Sequence, residues 1–186
     1  MKRVFILIII SLFIANMIYS QPQRIIKNTD NGVQNGDYLV GEDVSKYLGT
    51  WEWESGKDKF TVILTKKDRM LIEVNGFKVY NDMVIGWHQY MQNGIIVESS
   101  LDKQSLPINN GKEALLYSTI NGDTKQSSYR SLKILDLTQE KTSSLRLTIK
   151  ENPNELHWEV YVHQGGYHMK PEKFTLPVDV ILKRIE

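Results

Sequence analysis

Tyr47-Leu48-Gly49-Thr50-Trp51-Glu52-Trp53 opens a nearly unbroken series of alternating apolar and polar residues. A strand turns successive side chains to opposite faces, so Gly49, Trp51 and Trp53 share one face and Thr50, Glu52 and Glu54 the other. Two tryptophans on the inner face of a first strand, just behind a glycine, point to a β-barrel closed around large aromatic groups. The alternation continues downstream. Phe60, Val62 and Leu64 share a face, and Lys66-Lys67-Asp68 predicts a turn into a strand over 69–75 that carries Met70, Ile72 and Val74. Asn93-Gly94, between strands over 83–92 and 94–99, predicts a hairpin, because a type I′ turn needs positive φ at both central residues.

The segments 144–150 and 155–163 form the clearest pair. Setting Leu147 opposite Trp158 also sets Leu145 against Val160 and Ile149 against Leu156. The same register places Arg146 against Glu159 and Lys150 against Glu155. Both faces agree, and a one-residue slip would destroy the agreement on each. Further strands are expected over 113–120 and 131–137, and a last one over 178–185, where Pro177 stands at a tolerated first position. Residues 101–112 make the longest central loop. Asp43 is positioned to cap a single helical turn before Tyr47. No segment sustains a 3.6-residue period, so little helix is expected. The fold class is all-β: an antiparallel barrel or strongly curved sandwich of about eight to ten strands.

Gly49-Thr50-Trp51 resembles the Gly-x-Trp pattern at the first strand of the lipocalin and wider calycin barrels. That resemblance implies a tryptophan closing one end of the barrel with a basic residue from a late strand packed over its ring. Arg184 is the candidate for that residue and Arg146 the weaker one; Gly49, Trp51 and Arg184 would together close the barrel. Guanidinium over indole is a favourable cation–π contact. The chain departs from lipocalins in having no cysteine pair and no helix flanking the last strand. A closer resemblance spans the chain beyond its first twenty residues. Tyr47-Leu48-Gly49-Thr50-Trp51-Glu52-Trp53, then Phe60-Thr61-Val62-Ile63-Leu64, then Ile85-Gly86-Trp87-His88-Gln89-Tyr90 and Asn93-Gly94 resemble a family of small exported Bacteroidetes proteins built on a domain of unknown function.

Met1-Lys2-Arg3, the apolar run Val4 to Ile14 and the passage to Ser20 read as a secretory signal peptide cleaved after Ser20. The run is shorter than the ~20 residues of a spanning helix. Residues 21–42, rich in Asn, Gly and Gln, read as a flexible leader, and 43–186 as a single barrel domain. The chain carries 23 basic and 22 acidic residues, so loss of Lys2 and Arg3 leaves 21 against 22 and a formal charge of −1. Such a chain has neither the basic footprint of a nucleic-acid binder nor the polybasic segment of an anionic-membrane binder. No nucleic-acid partner and no stable membrane insertion after cleavage are expected. The placement is the periplasm or the cell exterior. With no cysteine, the chain has no disulfide, thiolate zinc site, cysteine nucleophile or N-terminal lipid-bearing cysteine.

The four histidines are His88, His157, His163 and His168. His157, Glu159, Tyr161 and His163 alternate onto one strand face, with His168 beyond Gly165-Gly166; without ligand spacing on one element, they read as an outward polar face rather than a metal site. No nucleophile elbow, phosphate loop or His-Glu-x-x-His occurs, so no catalytic residue, metal or cofactor is assigned. The leading expectation is a calycin-like binding module for a small apolar or amphipathic ligand, lined by Trp51, Trp53, Trp87, His88 and Trp158. The alternative is a filled barrel acting as a cell-envelope or protein-interaction module with no internal ligand. In a barrel both rest on the same inward surface.

Overall fold

The computed structural model describes residues 23–27, 32–40, 43–106, 116–119, 128–164 and 166–185. The expected signal peptide and the Asn109-Asn110-Gly111 stretch of the central loop lie outside these. The strands are β1 (Ile25–Lys27), β2 (Tyr38–Val40), β3 (Gly49–Ser55), β4 (Asp58–Val74), β5 (Phe77–Gln92), β6 (Ile95–Ser99), β7 (Leu116–Thr119), β8 (Ser128–Asp136), β9 (Lys141–Ile149), β10 (Glu155–Gln164), β11 (Tyr167–Met169) and β12 (Asp179–Arg184). Two 3-10 turns, Ser45–Tyr47 and Leu101–Ser105, are the only helical elements among the described residues. The chain is all-β, as its alternation implies.

The sheet curls back on itself. Its order runs β5-β4-β3-β12-β10-β9-β8-β7, and β7 pairs in turn with β5 through Met83↔Thr119 to Gly86↔Leu116. These eight strands form an antiparallel up-and-down ring in which sequence neighbours are mostly sheet neighbours. β12 meets β3 at Lys183↔Glu52 and Arg184↔Trp51, which joins the last strand of the ring to its first in chain order. A ring of this kind leaves few free edges, a benefit of closure. β6 and β11 are short flaps on β5 and β10.

Turn chemistry sets the register. Asn93 (φ 53) and Gly94 (φ 80) take the left-handed conformations of a type I′ turn between β5 and β6. Asn75 and Gly76 do the same between β4 and β5. The β9–β10 pairing sets Leu147 against Trp158, Leu145 against Val160 and Arg146 against Glu159, the register expected from side-chain agreement.

The turn expected at Lys66-Lys67-Asp68 is instead a bulge inside one long strand. β4 runs unbroken to Val74, and its register against β5 shifts between Lys67 and Met70. Arg69 takes φ 54 there, and its N–H donates to Asp82 Oδ1 at 3.3 Å. One extra residue flips the side-chain phase. Phe60, Val62 and Leu64 therefore face the main core while Met70 lies in a second cluster.

The stretch 21–42, expected as a flexible leader, contributes β1 and β2, which lie parallel to each other and to β5. Polar contacts hold them there. Arg24 pairs with Asp37, and the Tyr38 hydroxyl donates to Asp82 at 2.6 Å. Asp82 is itself 1% exposed and accepts Lys66 Nζ at 3.0 Å. Burial, and then the bond to the Asp82 carboxylate, push the Tyr38 phenol up to about 12. Polarity therefore misled the expectation here: these side chains are polar because they bond one another.

Inside the ring, Tyr47, Trp51, Phe60, Val62, Leu132, Ile134, Leu145, Leu147, Leu156, Trp158 and Leu182 are all buried in one cluster. Outside it, Met70, Met83, Ile85 and Trp87 form the second, with Leu101 from the second 3-10 turn packed against them. Among the described residues no helix is long and apolar enough to cross a membrane.

Candidate functional site

Gly49 begins β3 at φ 117, a conformation L side chains rarely adopt. From there Trp51 points inward, where it is fully buried. Its indole Nε1 donates to Tyr47 O at 2.8 Å. The Arg184 guanidinium lies over the ring, 4.2 Å from its centroid, and donates to Leu48 O at 2.5 Å and Lys46 O at 2.7 Å. One cation thus meets an aromatic face and satisfies two carbonyls at the end of the first 3-10 turn, which has too few residues to satisfy them itself. Arg146, the weaker candidate, lies elsewhere, on the outer face of β9 beside Tyr161.

Trp158 packs edge-on against Phe60, with centroids 5.1 Å apart, and donates to Pro177 O at 2.9 Å. Phe60 also meets the rings of Tyr90 and His88, each at 6.2 Å. Trp53 is half-buried at the edge of the same cluster. Trp51, Trp53, Trp158 and His88 are therefore brought to one interior. Trp87 is not. It belongs to the second cluster, on the opposite face of β5, because Val84, His88 and Tyr90 take the inward phase and leave Met83, Ile85 and Trp87 the outward one. An interior lined by Trp87 and His88 together is incompatible with that alternation.

His88 is completely buried. Its Nε2 meets Glu98 Oε1 at 2.7 Å, and its backbone N–H donates to Ser100 Oγ at 2.8 Å. Glu98 also accepts from Leu137 N, Thr138 N and Thr138 Oγ1, at 3.0, 3.0 and 2.8 Å. Burial pushes its carboxyl up, but the bonds from His88, Leu137 and Thr138 outweigh burial and hold it at about 2. The carboxylate is ionised at neutral pH and can only accept, so the proton between the two groups resides on His88 Nε2. His88 Nδ1, equally buried, makes no hydrogen bond among the described residues.

Glu98 was missed in the sequence, and the cause is local. A two-residue Asn93-Gly94 hairpin would set Val97 across from Tyr90. A bulge between Tyr90 and Met91 sets Glu98 there instead, and so turns a carboxylate inward. Asp136, also missed, is fully buried and accepts from Gln139 N and Thr175 N. Glu98 and Asp136 thereby clamp the β8–β9 turn from two sides. Chemically, the pair His88–Glu98 has the form of an oriented imidazole, yet no hydroxyl or thiol nucleophile contacts Nδ1 among the described residues.

His157, His163 and His168 do not converge. His157 pairs with Asp179 at 2.8 Å, while His163 and His168 lie side by side at the tip of β10–β11, ring centroids 4.6 Å apart. An open groove of about 380 Å³ lies on the outer surface, lined by Lys150, Glu151, Asn152, Glu155 and Ile181.

No curated protein and no solved structure matches this chain. A family model does match, over residues 1–184, and the chain belongs to that family, described as a family of unknown function (DUF6705).

Proposed function

We propose that this is an exported β-barrel whose interior is filled by its own side chains and which works through its outer surface, as a cell-envelope or protein-interaction module. The packing of the ring carries this proposal. Trp51, Phe60, Leu147 and Trp158 are each 0% exposed, and a void that admits a water leaves accessible area on the side chains lining it. Small barrels are either filled or hold one ligand, and this burial supports the filled kind. The up-and-down order and the Arg184–Trp51 packing support a calycin-like kinship. Export rests on Lys2-Arg3 followed by the apolar run Val4 to Ile14.

A second reading, a small amphipathic ligand held inside, is favoured by one atom. His88 Nδ1 is buried without a partner, and an unmet polar group of that kind costs about 1–3 kcal/mol. A ligand donor group reaching it would recover that cost.

Native mass spectrometry of the protein recovered from the cell envelope or medium without detergent separates the two. The filled barrel predicts equal masses under native and denaturing conditions, beginning at Gln21. A reproducible small-molecule adduct that denaturation removes would overturn the filled interior and favour the second reading. Retention of residues 1–20 would overturn export.

A further inference from the structure

β11 is a three-residue strand paired with β10 through Val162↔Met169, His163↔His168 and Gln164↔Tyr167. It pairs with no other strand among the described residues, and all three of its residues are exposed. A ladder this short, on one side only, contributes little by itself. Side chains supply the remaining hold. The His168 ring stacks on Tyr161, centroids 4.4 Å apart and planes 19° apart. Arg146 Nη2 lies 2.6 Å from His168 Nδ1. The same guanidinium lies over Tyr161 and donates through Nη1 to Glu159 Oε2 at 2.9 Å. Beneath the stack Tyr161 is only 5% exposed, although it points outward from the ring.

This geometry specifies a protonation state. Arginine has donors only and stays charged, so His168 Nδ1 must offer its lone pair, and the imidazole proton must sit on Nε2. A protonated His168 would turn an N–H toward the guanidinium and set a second cation beside it. We propose that the β10–β11 hairpin is a pH-sensitive flap, latched over Tyr161 by neutral His168 against Arg146 and released when His168 is protonated.

Among the described residues, the charged and titratable groups around His168 include Arg146 from β9, Tyr161 and His163 from β10, and Glu159 through its bond to Arg146. Arg146 opposes protonation. Glu159 favours it but is already engaged by Arg146. The Tyr161 ring, on which His168 is stacked, attracts a cation and offsets part of the repulsion from Arg146. The His163 ring stands edge-on to that of His168, centroids 4.6 Å apart. Beyond the hairpin, Lys170 is paired with Asp179 at 3.1 Å. A group held neutral by its folded contacts contributes its hold at higher pH and loses it as pH falls. The latch therefore closes near neutrality and opens in mild acid. Release would uncover Tyr161 and the Arg146 guanidinium together, an aromatic and cationic patch on the surface. This inference does not depend on whether the ring is filled.

Hydrogen exchange of the full chain, expressed as protection relative to each amide's intrinsic rate, reads the flap directly. Between about pH 7.5 and about pH 5, protection at Tyr167, His168 and Met169 should fall about tenfold or more while β9 and the body of β10 hold theirs. His168→Phe keeps the stack and removes the titration, so its β11 protection should not change with pH. His163→Phe should keep the wild-type response. Nitrogen NMR of the imidazoles at neutral pH should place the His168 proton on Nε2. Unchanged β11 protection across that range in the wild type, a pH response that persists in His168→Phe, or a proton found on Nδ1 would each overturn the proposal.

Discussion

Replacing Trp51 with alanine is expected to lower the unfolding free energy by roughly 3–5 kcal/mol, the range for large-to-small changes at fully packed aromatic sites. Three losses combine there. The indole leaves a cavity where Tyr47 and its neighbours pack. Tyr47 O loses the donor it held at 2.8 Å. Arg184 loses the ring beneath its guanidinium and remains half-buried with one face bare, which forfeits a contact of about 0.5–2 kcal/mol. These losses are coupled, because Arg184 also bonds Leu48 O and Lys46 O. A double-mutant cycle with Arg184→Met should accordingly show non-additivity of about 0.5–3 kcal/mol, as for residues in contact. Urea denaturation at neutral pH measures each variant. A Trp51→Ala protein within about 1 kcal/mol of wild type would contradict the packing described for this end of the ring.

Glu98→Gln is expected to cost about 3–5 kcal/mol, the range for breaking a buried pair by altering one partner. Glu98 accepts four hydrogen bonds, from His88, Leu137 N and both Thr138 donors. A glutamine places an NH2 where an acceptor is needed, so at least one of those donors loses its partner, and the β8–β9 turn loosens from β6. The pH dependence follows from the same bonds. Glu98 is held at about 2 against an ordinary 4.5. Its folded value is depressed, so its contribution to stability is complete above 4.5 and is lost as pH falls from there through about 2. Urea midpoints measured from pH 6 down to pH 2.5 should decline in the wild type over the lower part of that range. In Glu98→Gln, which starts lower, the part of the decline due to this carboxylate should vanish. Equal slopes in the two proteins would show that Glu98 is not the group responsible.

Much of the ring was legible because its strands alternate cleanly and Asn93-Gly94 marks the end of β5. The β9–β10 register could be read from Leu147 with Trp158 and Arg146 with Glu159, since both faces of that pair select one alignment. What escaped was wherever one residue too many entered a strand. The bulge between Lys67 and Met70 made a continuous strand resemble two strands and a turn. The bulge between Tyr90 and Met91 hid Glu98 from the interior. Alternation has no way to announce a bulge, because on either side of it the pattern is intact and only the phase has changed. Trp87 escaped for a different reason. Nearly every residue from Asn81 to Tyr90 is buried, since this part of β5 is covered on both faces, and hydrophobicity alone does not say which face of such a strand is inside. Polar composition hides β1 and β2 within 21–42, because Arg24, Asp37 and Tyr38 use their polarity to dock these two strands.

The filled interior is tested most directly by diffraction from crystals of the protein held under xenon, which enters apolar cavities large enough to accommodate it. The packing predicts no xenon within the space bounded by Trp51, Phe60, Leu147 and Trp158. A xenon atom bound among those side chains would contradict it.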